Sequence, residues 1–227
     1  WFYRVKLMSD KFVFEFNFRD SNNSDELSPL VIMLHGYGSN EDDLFSFANH
    51  IPGNYKIISL RAPYSLPYGG YSWYDISSDD LEAKKIKIGV EQAKSSISKI
   101  KDFVKNQLPK KYSFDIEKIC LIGFSQGSAL SYALSLNNPD LFKNVIALSG
   151  MISMQLIDEN HKDYSNLNYF CSHGIQDQVI PVNYSRESIE WLKSRNITHV
   201  YKEYDMTHSV SQENFFDFLE WMKFNLK

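Results

Sequence analysis

Residues 120–130 have the sequence Cys-Leu-Ile-Gly-Phe-Ser-Gln-Gly-Ser-Ala-Leu, which predicts a strand that turns sharply into a helix. The apolar run from Ile119 to Ile122 is typical of a buried strand, and the alanine- and leucine-rich run at 128–136 is typical of a helix. Glycines lie two positions to either side of Ser125 and permit a turn too tight for side chains. We therefore expect the Ser125 hydroxyl to stand clear of the sheet, with the first N–H groups of the helix beneath it.

The pattern Gly-x-Ser-x-Gly between a strand and a helix is that of the nucleophile elbow in serine hydrolases. The alternative is a chance five-residue match within a loop. The predicted strand before the motif and the predicted helix after it favour the elbow.

The composition indicates an ordinary globular chain. Its 227 residues fit one domain, 1–227, with 43% hydrophobic and 23% charged residues. The net charge is −4 and there is no basic run that could follow a phosphate backbone, so nucleic acid is not an expected partner. No apolar run approaches 18 residues, so no transmembrane segment is expected. The sequence leaves the oligomeric state open.

The two cysteines, Cys120 and Cys171, lie in apolar runs and are expected to be buried free thiols. Free thiols favour a reducing, cytoplasmic location. The chain starts at Trp1 rather than Met, which leaves a preceding segment open. No spacing of ligand residues suggests a metal, and no cofactor is expected.

Short apolar runs alternate with helix-like segments along the chain. Strands are predicted at 29–34, 55–60, 119–122, 144–148, 168–172 and 198–204. Helices are predicted at 41–50 with Asn40 as the cap, and at 89–108, 128–136, 183–194 and 211–226. A further strand at 11–19 places four phenylalanines on one face. This alternation predicts an α/β fold with a mostly parallel central sheet flanked by helices.

The catalytic end of such a sheet is its carboxyl edge, where ligands bind. Eight of the ten glycines follow predicted strands and are expected to gather at this edge: 36, 38, 69, 70, 123, 127, 150 and 174.

Six histidines could supply the base that serine needs. Two of them, His50 and His161, lie in polar stretches and are expected at the surface, and His199 opens a strand at the wrong end of the sheet. Two others, His35 and His173, end strands but directly precede glycines, where packing or a backbone hydrogen bond is the commoner role. His208 follows the last strand and comes last in the order serine, acid, histidine, so we predict it as the base.

The predicted acid is Asp177, which follows a strand and lies between Ser125 and His208 in sequence. Asp205 lies in the same loop as His208 and is the alternative. Asp163 precedes its strand and points to the other end. The oxyanion donors are predicted to be the backbone N–H groups of Gln126 and Tyr37.

Five blocks of the sequence resemble the phospholipase/carboxylesterase family, which includes acyl-protein thioesterases and lysophospholipases. They are residues 34–44 (LHGYGSNEDDL), 123–128 (GFSQGS), 148–150 (LSG), 173–182 (HGIQDQVIPV) and 207–208 (TH). The resemblance implies a single-domain α/β-hydrolase fold without a cap domain, no cofactor, and a triad of Ser125, Asp177 and His208. It also implies Tyr37 as an oxyanion donor. The chain departs from the family in lacking the glycine often found just before His208, and the phenylalanine-rich strand has no mapped counterpart.

Without a cap, the acyl site should be an open groove, and the aromatic loop at 62–75 is its expected wall. We predict substrate contacts from Leu66, Tyr71 and Trp73; the alternative is that Trp73 and its neighbours anchor the loop to the core. The expected substrate is a small-molecule or lipid acyl ester of short to medium chain length. Acyl-protein thioesterase or lysophospholipase activity is the nearest alternative, and a catalytically silent binding protein is a remote one.

Overall fold

The computed structural model describes residues 12–23, 27–77, 87–158 and 162–227. The sequence-based expectations for Lys11 and His161 lie outside these ranges. Eleven strands are assigned within them: β1 (Phe16–Arg19), β2 (Leu30–Leu34), β3 (Lys56–Leu60), β4 (Tyr64–Ser65), β5 (Tyr71–Ser72), β6 (Ile76–Ser77), β7 (Lys87–Ile88), β8 (Ile119–Phe124), β9 (Asn144–Leu148), β10 (Asn168–Gly174) and β11 (Thr198–Tyr204).

Seven of these strands form one central sheet in the order β1-β3-β2-β8-β9-β10-β11. All neighbours pair in parallel except β1, which runs antiparallel to β3 at the edge. The mostly parallel sheet expected from the sequence is therefore confirmed. The strands β4 and β5 form a small hairpin, and β6 and β7 form another.

Four α-helices flank the sheet: α1 (Val90–Asp102), α2 (Gln126–Asn137), α3 (Val182–Ser194) and α4 (Gln212–Asn225). Shorter 3₁₀ segments lie at Leu44–His50, Leu108–Lys110, Ile116–Lys118 and Met154–Leu156. Apolar side chains of α1, α2 and α3 pack on one face of the sheet, and those of α4 and Leu44–His50 pack on the other. This two-faced covering explains why the inner strands are continuous apolar runs. Among the described residues no inserted domain caps the sheet, and none of their helices is long and apolar enough to span a bilayer.

Two predicted helices differ from the structure. The segment predicted at 41–50 is a 3₁₀ helix that starts at Leu44, and Asn40 does not cap it. Instead, the Asn40 side chain accepts a hydrogen bond from the Asp42 amide at 2.8 Å, which closes a turn before the helix begins. The helix predicted at 89–108 changes from α to π geometry at Phe103.

The N-terminal aromatic segment adds an edge strand to the sheet. Its rings share one face, as the alternation predicts. The ring centres of Phe12 and Phe16 lie 5.4 Å apart, and they lie 5.5 and 5.6 Å, respectively, from the ring centre of Phe103. Phe14 lies edge-on to Trp73 at 6.2 Å. The segment thus packs against the aromatic loop through the contact between Phe14 and Trp73.

The order of the strands creates a switch point between β2 and β8. The chain passes from β2 outward to β3, returns to β8, and continues outward in the other direction. Loops that leave neighbouring strands in opposite directions open a crevice at their carboxyl ends. The loop after β2 starts at His35, and the turn after β8 holds Ser125, so both lie at this crevice.

Candidate active site

Ser125 occupies a strained turn between β8 and α2. Its backbone is at φ 54° and ψ −114°, a conformation that residues with side chains rarely adopt. The turn is packed too tightly for larger neighbours: a Cβ on Gly123 would lie 2.3 Å from the Gly127 carbonyl oxygen, and a Cβ on Gly127 would lie 1.9 Å from that of Leu34. The two glycines of the motif are therefore required by close backbone approach, as predicted.

His208 lies within hydrogen-bond reach of Ser125. Its Nε2 is 2.8 Å from the Ser125 Oγ, and its Nδ1 is 2.7 Å from the Asp177 Oδ2. The ring packs against Phe124 at 5.0 Å between ring centres, and 17% of the side chain remains exposed. Because the carboxylate can only accept, Nδ1 carries the proton and Nε2 faces the serine hydroxyl as an acceptor.

Asp177 is the buried third member of this chain of hydrogen bonds. Its Oδ1 accepts from the amides of Val179 and Ile180, each at 2.9 Å. Asp205, the alternative acid, accepts instead from the side-chain amide of Gln176. Of the two aspartates, Asp177 is the one bonded to His208.

The loop after β2 runs directly beside the serine. A Cβ on Gly36 would lie 3.5 Å from the Ser125 Cβ. The Tyr37 amide donates to no backbone carbonyl among the described residues, and the Gln126 amide is the first of α2, where no intrahelical acceptor exists. These two N–H groups remain available at the crevice.

His35 fixes the direction of a peptide in this loop. Its Nε2 accepts from the Ala62 amide at 3.1 Å, so its Nδ1 carries the proton and donates to the Gly36 carbonyl oxygen at 2.7 Å. In a trans peptide the N–H points opposite to the C=O, so this bond turns the Tyr37 N–H away from the His35 ring. Burial lowers the pKa of His35, which keeps the ring neutral and this pattern intact.

Comparisons with known proteins identify the family. The sequence model of the family described as Phospholipase/Carboxylesterase matches residues 20–226. The chain belongs to the phospholipase/carboxylesterase family. It is 30% identical over 217 residues to acyl-protein thioesterase 1 of Kluyveromyces lactis, covering 87% of this chain and 92% of that one. It is 28% identical over 219 residues to acyl-protein thioesterase 1 of Yarrowia lipolytica, with the same coverage.

Solved structures agree on the fold. A carboxylesterase from Bacillus cereus superposes with a TM-score of 0.77 at 19% identity, covering 93% of this chain and 94% of that one. The architecture is thus an α/β-hydrolase fold. Membership of the phospholipase/carboxylesterase family places the chain among enzymes that hydrolyse ester or thioester bonds.

Trp73 corrects one expectation about the substrate groove. Its side chain is fully buried, and its indole Nε1–H donates to the His35 carbonyl at 2.9 Å. Its backbone N–H donates to the Gln126 Oε1 at 2.8 Å, and its carbonyl accepts from the Ser96 hydroxyl at 2.7 Å. Trp73 therefore anchors the loop to the core through these bonds, and because its side chain is fully buried it offers no surface to a substrate.

The Gln126 side chain acts in the same anchor, which the sequence did not indicate. Besides accepting from Trp73, its Nε2 donates to the Tyr74 carbonyl at 2.7 Å, and the residue is buried. The residue after the candidate nucleophile thus bonds the aromatic loop through its side chain, while its amide, at the start of α2, has no intrahelical acceptor.

Leu66 and Tyr71 lie in the hairpin of β4 and β5, half-buried beside the loop after β2. The Gly38 amide donates to the Tyr71 carbonyl at 2.9 Å, and the Tyr71 amide donates to the Ser39 carbonyl at 2.8 Å. At the hairpin tip the Tyr68 hydroxyl lies 2.9 Å from that of Tyr37, a bond that raises the pKa of Tyr37 to about 12. The hairpin therefore forms a wall next to the candidate oxyanion loop.

An ion pair beneath the loop was not foreseen. Arg61 donates through Nε to the Glu41 Oε2 at 2.6 Å and through a terminal nitrogen to Oε1, and its guanidinium lies 4.7 Å from the centre of the Tyr71 ring. Burial raises the pKa of Glu41, but the hydrogen bonds from Arg61 outweigh it and hold that pKa below its usual range. Arg61 thus joins the loop after β2 to the hairpin.

The other histidines within the described ranges are either exposed or placed beside a backbone carbonyl oxygen. His50 is exposed, and the Nδ1 of His199 lies 2.8 Å from the Ile197 carbonyl oxygen. His173 is buried with its Nε2 2.7 Å from the Ile180 carbonyl oxygen. Within the described ranges no three His, Cys, Asp or Glu side chains cluster as metal ligands would.

Proposed function

We propose that the protein is a serine carboxylesterase that hydrolyses short to medium acyl esters through an acyl-enzyme on Ser125. The observation that carries the proposal is the hydrogen-bonded chain from the Ser125 Oγ through His208 to Asp177, at 2.8 and 2.7 Å. A serine hydroxyl is a weak nucleophile until a base takes its proton, and an oriented histidine is that base.

In the first step the Ser125 Oγ attacks the ester carbonyl carbon while the His208 Nε2 takes the hydroxyl proton. Asp177 accepts the Nδ1–H of the imidazolium that forms and keeps the ring in place. The carbonyl oxygen becomes an oxyanion that the amides of Tyr37 and Gln126 stabilise. Collapse of this intermediate breaks the bond to the leaving alcohol, which departs with the proton from His208.

Deacylation repeats these steps with water as the nucleophile. His208 takes a proton from the water as its oxygen attacks the acyl carbon, and the proton then passes to the Ser125 oxygen when the acid is released. The strained turn at Ser125 supports this cycle because it holds the hydroxyl clear of the sheet without any movement of the backbone.

A second candidate is acyl-protein thioesterase activity, which the names of the Kluyveromyces and Yarrowia relatives favour. The machinery is the same, and only the leaving group changes from an alcohol to a thiol. Lysophospholipase activity likewise differs only in substrate. The expected cytoplasmic location is supported by Cys120 and Cys171, which are both buried and unpaired.

The test is hydrolysis of 4-nitrophenyl esters of increasing chain length, with acyl thioesters of the same chains beside them. Ser125→Ala should lower kcat at least about 10⁴-fold with the fold unchanged. Ser128→Ala is the matched control, because its buried hydroxyl has no hydrogen-bond partner among the described residues and lies about one turn along the same helix. We expect kcat within about twofold of the parent.

An undiminished rate in folded Ser125→Ala would overturn the serine mechanism. A higher kcat/KM for the thioesters than for the matching oxygen esters would favour the thioesterase candidate. No turnover of any of these substrates by the parent protein would favour the catalytically silent alternative.

A further inference from the structure

His173 is a buried histidine that the proposed reaction does not use. It is the last residue but one of β10, four positions before Asp177, and its side chain is fully buried. Its Nε2 lies 2.7 Å from the Ile180 carbonyl oxygen and 3.2 Å from the Asp177 Oδ2. Both neighbours are acceptors, so Nε2 must carry the proton and donate.

In the described part of the chain, only one of the two ring nitrogens of His173 is hydrogen-bonded. The His173 Nδ1 is buried and has no hydrogen-bond partner among the described residues. The ring thus acts through Nε2, whose N–H donates to the Ile180 carbonyl oxygen and lies beside the Asp177 Oδ2.

The Asp177 carboxylate makes three hydrogen bonds and also has the His173 ring beside it. Its Oδ1 accepts from the Val179 and Ile180 amides, and its Oδ2 has the Nδ1 of His208 at 2.7 Å and the Nε2 of His173 at 3.2 Å. Two histidine rings thus lie next to the same carboxylate oxygen. The three hydrogen bonds and the neighbouring His173 ring together restrict rotation of the carboxylate.

Ile180 is bonded at both ends to this arrangement. Its amide donates to Asp177 while its carbonyl accepts from His173, so the turn at 177–180 is fastened to the end of β10 through the imidazole. Without His173 the turn would keep its internal bonds but would lose its side-chain link to the strand. The carboxylate would keep its bonds from the two amides, but the turn that carries it could shift relative to β10 and to His208.

We propose that His173 is a positioning residue, which acts through the Asp177 carboxylate to set the orientation of His208 toward Ser125. This inference rests on the proposed serine mechanism. His173 does not touch the reacting atoms, so its loss should change kcat rather than KM.

The experiment compares His173→Leu with His173→Gln. Leucine has a similar volume but no donor, whereas the glutamine side chain reaches about as far as the imidazole Nε2 and carries an N–H there. We expect His173→Leu to lower kcat roughly 10- to 100-fold with KM within about twofold of the parent value. We expect His173→Gln to retain most of the parent kcat. If His173→Leu does not fold, His173→Asn takes its place, because its shorter amide cannot reach the Asp177 Oδ2.

A purely structural role is separated by repeating His173→Leu in an Asp177→Ala background. Positioning through Asp177 predicts that the substitution there changes kcat by less than about twofold, because the group it orients is gone. The same fold-loss in both backgrounds would overturn the proposal, as would a wild-type kcat in folded His173→Leu.

A second readout does not depend on turnover. The low-field proton resonance of the His208–Asp177 hydrogen bond should shift or disappear in His173→Leu and persist in His173→Gln. An unchanged resonance in His173→Leu would overturn the inference. Absence of ester hydrolysis by the parent protein would instead count against the proposed function, and the resonance would still decide the role of His173.

Discussion

Gly174→Ala should damage catalysis through one methyl group. Gly174 is the last residue of β10, and a Cβ built on it lies 2.2 Å from the Met206 carbonyl oxygen and 2.4 Å from that of Thr207. Real Cβ atoms essentially never approach closer than 3.0 Å, so the backbone at 206–207 must withdraw by about 0.8 Å. His208 follows directly and must move with it.

The expected effect on rate follows from that displacement. The His208 Nε2 now lies 2.8 Å from the Ser125 Oγ, and a shift of nearly 1 Å places it outside productive geometry. A misplacement of this size costs roughly 10²-fold in kcat, with little effect on KM. Overpacking should also lower the free energy of unfolding by about 1–3 kcal/mol.

The assay is steady-state hydrolysis of a 4-nitrophenyl ester together with urea denaturation. Gly53→Ala is the matched control, because its Cβ would meet only the flexible Asn22 side chain, at 2.5 Å, before the amino end of β3. That variant should keep kcat within about twofold. Wild-type kcat in folded Gly174→Ala, or an equal loss in both variants, would refute the reasoning.

Three further outcomes are expected. Glu41→Gln should lower the free energy of unfolding by about 2 kcal/mol, because Arg61 loses a buried charged partner. Glu15→Gln removes a mostly exposed partner of the same arginine and should lower it by less than about 1 kcal/mol. Equal losses of the two variants in urea denaturation would contradict the burial argument. Burial lowers the pKa of His35 in the folded state, so below about pH 7 the unfolded chain binds more protons than the folded one. The free energy of unfolding should therefore fall as the pH drops from about 7 toward 5, by at most about 1.4 kcal/mol per pH unit. His35→Gln should flatten that dependence, and an unaltered pH profile would argue against the neutral ring. Gln126→Met leaves the Trp73 N–H and the Tyr74 carbonyl without their side-chain partner and should lower the free energy of unfolding by about 3 kcal/mol in urea denaturation. An unchanged unfolding midpoint would show that these two hydrogen bonds do not stabilise the fold.

The parts of the site that local pattern controls were predictable from the sequence. The glycines at 123 and 127 indicate the turn at Ser125, and the strands before Ser125 and Asp177 contain apolar runs. The edge strand before His208 mixes polar and apolar residues. Because parallel strands present their carboxyl ends at one edge, placing these residues after strands was enough to bring them to the same end. Chain order then selected among the histidines.

The parts that depend on packing were not predictable. The sequence shows that Trp73 is aromatic but not that its indole N–H meets the His35 carbonyl, which lies 38 residues away. The pairing of Glu41 with Arg61 spans 20 residues and depends on where the hairpin lies. The convergence of His173 on Asp177 needs the exact path of a four-residue turn, which no periodicity specifies.

The substrate wall shows the same limit. An aromatic loop after a strand predicts rings near the site, and Tyr68 and Tyr37 do meet there. Which rings face outward is decided by the polar groups they carry: the Trp73 backbone and indole find partners inside, whereas Tyr68 is 74% exposed. Composition alone does not separate the two.

The central claim is that Ser125 is an activated nucleophile, and labelling with a fluorophosphonate followed by peptide mass analysis tests it most directly. The hydrogen bond from the Ser125 Oγ to His208 predicts one adduct per folded chain, located on the peptide that contains Ser125. An adduct on another residue, or no adduct on protein shown to be folded, would contradict it.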